Sequence, residues 1–404
     1  MPSSAVVEQT VPSRDDSVFD VEPGHLVVLT NYIPPHARPL YDALNRRCDK
    51  LTILISTEME GNRHWQPDWG SLDVRLQRTW TLKRPWRHPQ GFEESLEIHL
   101  PRDTVGWLKR LQPDAIVSEQ FGCRSLLSAV YKTFRRWIPL AYLVSLSEHT
   151  EQGRGLMRRL LRKWLVRRAD CVGVNGSSGE RYLHNLGVPQ DRTFVVPYTM
   201  VPGVFEHVQP TRPTETAHRL LYSGQFIELK GLVQFTTALA RWAVDHPDRQ
   251  VEFDLVGYGP EQAAIENVET PANLSVRFLG KRPFDELGEV YGQHGTLVLP
   301  TLSDEWGMVV NEAMTAGLTV LGSRYSQAVT ELCVEGETGW TFRPDREVEV
   351  YRAIDAMLST SVERLNEMRH ICREKAAAIT PDYAADQLLA MVRMAKQIIR
   401  RGTK

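Results

Sequence analysis

A chain of 404 residues with 42% hydrophobic and 24% charged residues, 24 Pro and 27 Gly sits in the ordinary globular range, which excludes the disordered, collagenous and membrane-spanning classes. At about 150 residues per domain such a length favours two domains. Lys and Arg number 48 against 50 Asp and Glu, a formal net charge of -2, so no global polycation exists to hold nucleic acid and any anion site must be local.

Residues 1–22 include Asp15, Asp16 and Asp20 where a secretory signal would need an uninterrupted apolar core, and they read as a flexible tail on a cytoplasmic chain. The five cysteines, Cys48, Cys123, Cys171, Cys333 and Cys372, are scattered and odd in number, which argues for a reduced compartment and against a disulfide framework or a metal site. No stretch approaches the roughly 20 apolar residues that cross a bilayer, so any membrane contact is peripheral.

The ordered chain begins at residues 25–30, a continuous apolar run ended by a turn-like segment at residues 31–35. A helix over residues 40–47 and a strand over residues 51–55 follow, then strands at residues 115–117, 140–144, 171–174 and 193–196. Buried strands alternating with helices define an α/β domain with a parallel sheet. A proline-rich crossing runs from Pro197 through Pro202 to Pro213, after which the pattern restarts with strands at residues 218–224, 251–257, 276–280, 296–300 and 319–322. Helices over residues 348–358, 362–377 and 383–400 close the chain, with Pro381 between the last two. The expected units are the tail 1–22, a first domain 23–200, a second domain 201–375 and terminal helices 376–404. Those helices pack across the first domain or stay with the second. A cleft between two such sheets is the natural ligand site.

The densest chemistry follows residues 296–300. Thr301-Leu302-Ser303-Asp304-Glu305-Trp306-Gly307-Met308-Val309-Val310-Asn311-Glu312 puts a carboxylate-rich loop at a strand's C-terminal end, with a helix and its free amides directly beyond. A ligand carrying both hydroxyls and phosphate suits that combination. Taken alone, an acidic turn capping a structural helix is the competing reading. After residues 218–224, the segment Gly224-Gln225-Phe226-Ile227-Glu228-Leu229-Lys230-Gly231 offers a lysine to phosphate and a glycine for close backbone approach.

These segments resemble retaining glycosyltransferases of family 4, which have the two-domain GT-B fold: two Rossmann-like domains with a cleft between them. Asp304 and Glu312 match the family's carboxylate pair, and Lys230 the lysine of its Gly-Arg-Leu-x-x-x-Lys-Gly segment. The resemblance implies that Asp304 approaches hydroxyls of the donor sugar and that Lys230 stabilises the leaving diphosphate. It implies further that Gly307, Met308 and Val309 contact sugar and phosphate through their backbone, and that Glu312 binds the ribose. Glu305 stands where the family often has Pro, and Gln225 where it has Arg, so one fixed cation is missing. Gly257-Tyr258-Gly259-Pro260 resembles a family segment lining the donor cleft, and Lys281 lies in a stretch resembling the part near the base. Glu331 belongs to a Glu-x-x-x-x-Gly-x-x-Gly region, and His149 to a loop where family members place an active-site histidine; an ordinary cap histidine is the alternative. Glu119 and His36 are weaker candidates, and residues 31–36 lack the family's glycine-rich first loop.

The implied reaction moves a sugar from a nucleotide-diphosphate-sugar, UDP- or GDP-linked, to a hydroxyl of a glycan or lipid-linked acceptor, with no metal or other cofactor. The first domain then shapes the acceptor side and the second holds the donor. A nucleotide-sugar epimerase, a glycan phosphorylase or a noncatalytic sugar-nucleotide-binding protein shares the same architecture. Residues 154–168 combine Leu156, Met157, Leu160, Leu161, Trp164, Leu165 and Val166 with Arg154, Arg158, Arg159, Arg162, Lys163, Arg167 and Arg168. That pattern is either an amphipathic contact with an anionic membrane surface or a core-facing helix with a solvated basic face.

Overall fold

The computed structural model describes residues 24–59, 67–87, 93–151, 155–200 and 203–402. The tail at residues 1–22, Arg154 and Pro202 lie outside these. The first nine strands are β1 (His25–Thr30), β2 (Lys50–Ile55), β3 (Asp73–Leu76), β4 (Thr79–Arg87), β5 (Glu93–Pro101), β6 (Ala115–Glu119), β7 (Leu140–Val144), β8 (Cys171–Val174) and β9 (Thr193–Val195). Seven form one sheet in the order β3-β2-β1-β6-β7-β8-β9, every pair parallel. β4 and β5 stand apart as an antiparallel pair.

The second sheet has β10 (Leu220–Ser223), β11 (Val251–Val256), β12 (Leu274–Gly280), β13 (Thr296–Leu299), β14 (Thr319–Ser323) and β15 (Gly339–Phe342). Its order is β12-β11-β10-β13-β14-β15, again all parallel. Both sheets are therefore Rossmann-like, and each reverses its direction of growth beside its first strand, where the strand ends leave a crevice.

Alternation along β1 explains why an unbroken apolar run was required. Leu26 and Val28 enter one core layer, and Val27 and Leu29 enter the layer on the opposite face. The first layer is completed from the far end of the chain. The last helix, Pro381–Gly402, buries Ala384, Leu388, Leu389 and Val392 and packs against β6, β7, β8 and β9 and the helix Arg38–Asn45, so the terminal helix crosses back onto the first sheet. Pro381 opens that helix, where its missing N–H costs nothing. Arg47 reaches Asp382 at 2.7 Å and Asp386 at 3.1 Å; these exposed pairs set the helix's position more than its stability.

Three parts went unmarked by the sequence pattern. β3 and β4 are largely exposed, with Trp80 57% and Leu82 54% accessible, and the described side chains of β5 mix exposed Ile98 with buried His99, so these strands lack the buried apolar signature. β15 is a four-residue strand opening on a glycine.

Candidate active site at the interdomain cleft

The second sheet reverses between β10 and β13, and the loops leaving those two strands carry the candidate donor residues. Backbones converge tightly there. A Cβ on Gly257 would lie 1.8 Å from the Gly224 carbonyl oxygen, and its φ of +136° is open only to glycine. Gly259 is just as crowded, 2.2 Å from the Phe226 carbonyl oxygen. The Gln225 side chain is exposed, while its backbone oxygen accepts from the Tyr222 hydroxyl at 2.8 Å. Lys281, at the edge after β12, lies 5.8 Å from the Tyr258 ring centre and is exposed.

Lys230 ends a single helical turn (Glu228–Lys230), and its Nζ donates to Asp304 Oδ2 at 2.7 Å. The two groups assigned to diphosphate and sugar are thus each other's partner, each about one-fifth exposed at the cleft. Asp304 Oδ1 accepts from the Trp306 amide at 3.2 Å, and the Asp304 amide donates to the Tyr325 carbonyl at 3.0 Å. Leu302 N donates to Leu229 O at 2.8 Å, tying the two strand-end loops together. The carboxylate is therefore locked, and it holds the lysine in place.

Gly307, at φ +101°, turns the chain into the helix Met308–Thr315 with no side-chain cap. Among the described residues nothing accepts from the Met308 or Val309 amides, so this N-terminus presents donors and the positive end of the helix dipole. One turn on, Glu312 Oε2 accepts from the Tyr291 hydroxyl at 2.9 Å. Burial pushes the Glu312 carboxyl up to about 7, although the Tyr291 bond pulls the other way. Its protonation therefore changes near neutrality.

His149 comes from the first domain and reaches the second. Its ring stacks on Tyr325 with centres 3.9 Å apart, and Nε2 lies 3.0 Å from Leu302 O. A carbonyl only accepts, so Nε2 carries the proton and Nδ1 is left as the acceptor of a neutral ring. Burial lowers the His149 pKa, which favours that neutral form.

The other first-domain candidates have structural partners. Glu119 receives the Tyr41 hydroxyl at 2.5 Å and the Thr30 hydroxyl at 2.7 Å, and burial raises its pKa. His36 packs edge-on to Tyr198 at 5.5 Å, and Tyr198 packs on Trp306 at 5.7 Å, so three rings run from the β1 loop to the Asp304 loop. Glu331 works across the cleft: its Oε1 accepts from Ser177 N at 2.8 Å and Ser177 Oγ at 2.6 Å, capping the first-domain helix Ser177–Leu186. The pattern of residue types missed Gln327. Its Oε1 accepts from Gly179 N at 3.0 Å, and its Nε2 donates to Leu146 O at 3.3 Å and Glu305 O at 3.2 Å. Asn175 Nδ2 also donates to Glu305 O, at 3.0 Å. Tyr325, Gln327 and Asn175 lie in no motif, and only the strand ends before them pointed to the region. Among the described residues, no cluster of three His, Cys, Asp or Glu side chains is placed to hold a metal ion.

Residues 33–199 match a family model described as glycosyl transferase 4-like domain, and residues 217–360 match one described as glycosyl transferases group 1. A D-inositol 3-phosphate glycosyltransferase of Corynebacterium diphtheriae is 27% identical over 249 residues, 57% of each chain. The match thus spans little more than half that relative's length. A sulfoquinovosyl transferase of Arabidopsis thaliana is 32% identical over 101 residues, 24% of this chain and 19% of that one. Among solved structures, Anabaena Alr3699/HepE in complex with UDP superposes with a TM-score of 0.65 at 16% identity, covering 91% of this chain and 98% of its own. An E. coli protein described as trehalose-6-phosphate, bound with UDP-2-fluoro glucose, gives a TM-score of 0.64 at 12% identity, covering 92% and 99%. The fold is GT-B. The chain is a GT-B-fold relative of the group 1 and type-4-like glycosyltransferases.

Proposed function

We propose that the chain is a retaining glycosyltransferase of family 4, moving a sugar from a nucleotide-diphosphate-sugar to a hydroxyl of a glycan or lipid-linked acceptor in polysaccharide or glycolipid synthesis. The observation that carries this is the convergence of Lys230, Asp304, the uncapped amides at Met308 and Val309, and Glu312 where the second sheet reverses. The UDP and UDP-sugar named for the structural neighbours support a UDP-linked donor, with GDP-sugars the alternative.

In this reading ionised Glu312 accepts the ribose hydroxyls, and the helix amides and Lys230 receive the diphosphate. Lys230 turns from Asp304 toward the phosphate, and Asp304, fixed by the Trp306 amide, offers its freed oxygen to the sugar. The bond from the anomeric carbon to the diphosphate oxygen breaks as the acceptor oxygen bonds on the same face. The acceptor's proton passes to the departing diphosphate, whose growing charge Lys230 and the amides stabilise. His149 Nδ1 accepts from a sugar hydroxyl and fixes the ring's orientation. Domain closure through Gln327 and Glu331 excludes water, the competing acceptor.

The test incubates the protein with a UDP- or GDP-sugar and candidate acceptors and reads the anomeric configuration of the product by NMR. A glycoside of unchanged configuration supports the reading, and an inverted one refutes retention. Products formed without acceptor, or only with inorganic phosphate, mark an epimerase or a phosphorylase instead.

A further inference from the structure

The helix Leu156–Val166 is mounted opposite to the way a globular helix is normally mounted. Its buried positions are Arg162, Leu165 and Val166, while Leu156 is 70%, Met157 79%, Leu160 51% and Leu161 48% exposed. Positions 156, 157, 160 and 161 share one face that points to solvent, while Leu165 and Val166 enter the first-domain core, so the helix faces the core by its last turn and carries its larger apolar face outward. Arg162 is what holds the helix inward, donating to Glu151 at 3.0 Å, two residues from His149.

The exposed face continues onto the neighbouring helix Cys123–Phe134. Arg168 lies 4.8 Å from the Trp164 ring centre and donates to the Thr133 hydroxyl at 3.3 Å. Beside Thr133, Phe134 is 76% exposed, and Trp137, 61% exposed, carries Arg135 at 5.1 Å from its ring centre. Arg135, Arg136, Arg159, Lys163, Arg167 and Arg168 are exposed around this apolar crest. Neither residues 120–147 nor residues 152–169 contain a single Asp or Glu, in a chain whose overall charge is only -2. Glu148 and Glu151 stand beside Arg158 and Arg159 at one end of the crest, and elsewhere large exposed apolar side chains with a cationic rim are the chemistry of an interfacial face.

We propose that this composite surface, helix Leu156–Val166 with Phe134 and Trp137, docks flat on an anionic lipid bilayer and so holds the cleft beside it for a lipid-linked acceptor. This deepens the transferase reading and rests on it only for the acceptor's class. A second copy of the chain fits poorly, because a two-fold contact would press cation against cation. Nucleic acid fits poorly too, because the crest is apolar. No described helix is long and apolar enough to cross the membrane, so contact stays in the interface.

The test sediments the full chain with phosphatidylcholine vesicles, with and without about one-third phosphatidylglycerol. No donor or acceptor is present, so failure here leaves the transferase reading standing, and a failed transfer assay leaves this one standing. The expected result is binding to anionic vesicles that salt weakens. Lys163→Glu removes one cation and adds one anion, for a loss on the order of 20-fold. The double variant Met157→Ser/Leu160→Ser should lose at least about tenfold. Both should unfold at the wild-type temperature, since these side chains touch solvent. Absence of vesicle binding, equal binding to neutral vesicles, or a dimer dissolved by the double variant without vesicle binding would each overturn the proposal.

Discussion

In its proposed role as the ribose ligand, Glu312 makes donor binding pH-dependent in a way that can be calculated. Its carboxyl sits at about 7 because burial disfavours the charge, whereas ribose hydroxyls need the ionised form as their acceptor. The sign follows directly. The folded pKa lies above the ordinary carboxyl value of 4.5, so the free protein favours the proton, and ionising Glu312 weakens folding as pH rises from 4.5 to about 7. Binding runs the other way: with only the ionised fraction competent, affinity at pH 6 should be about tenfold weaker than at pH 8. Calorimetric titration with an intact UDP-sugar reads this, because its diphosphate diester does not itself titrate in that range. Tyr291→Phe removes the hydrogen bond from Tyr291 that stabilises the anion, so the midpoint should move upward. Glu312→Gln should bind weakly at every pH, with a flat profile. A flat profile in the wild type, or an unchanged slope in Glu312→Gln, would refute the role.

Lys230→Ala should reduce transfer by at least about a hundredfold, since on the proposed role it removes the charge that receives the leaving diphosphate, while the unfolding temperature changes little. Near-normal transfer by the folded variant would sink that assignment. His149→Ala should lower kcat more than it raises KM, because the proposed role of the ring is at the sugar and not at the nucleotide; a pure KM effect would contradict this. Gln327→Ala with Glu331→Ala removes side-chain bonds to Gly179 and Ser177 across the cleft, and small-angle scattering should show a larger radius of gyration for the unliganded variant. An unchanged radius would show that these bonds do not hold the domains. Leu388→Ala should cost about 2–5 kcal/mol in chemical denaturation, because Leu388 is fully buried between the last helix and the first sheet. A cost near zero would mean the helix is dispensable.

How much of this was readable beforehand depended on burial. β1, β8, β10 and β13 are buried on both faces, so each announces itself as a short apolar run, and their alternation with helices was enough for the expectation of two α/β domains. The GT-B expectation came from the resemblance carried by the Gly224–Gly231 and Asp304–Glu312 segments. β3, β4 and β5 lie at the margin of that core and carry mixed side chains, so no periodicity marked them. Lys230, Asp304 and Glu312 could be picked out by residue type and spacing. Their pairing could not: Lys230 meets Asp304 across 74 residues, which only the sheet order brings together. The cross-cleft work of Gln327 and Glu331 was hidden for the same reason, since both partners belong to the other half of the chain. Residues 156–166 show the converse limit. Helical spacing revealed a stripe, but which way it faces depends on Arg162 finding Glu151.

The central claim is that the second-domain crevice binds a nucleotide-sugar. Its most direct test titrates wild type, Lys230→Ala and Glu312→Gln with a panel of UDP-, GDP- and ADP-sugars, while released diphosphate and sugar are identified in the same tubes. Selective binding of one nucleotide class by the wild type, slow diphosphate release, and loss of both in the variants are expected. No binding across the panel by the folded wild type, or binding that neither variant weakens, would contradict the claim.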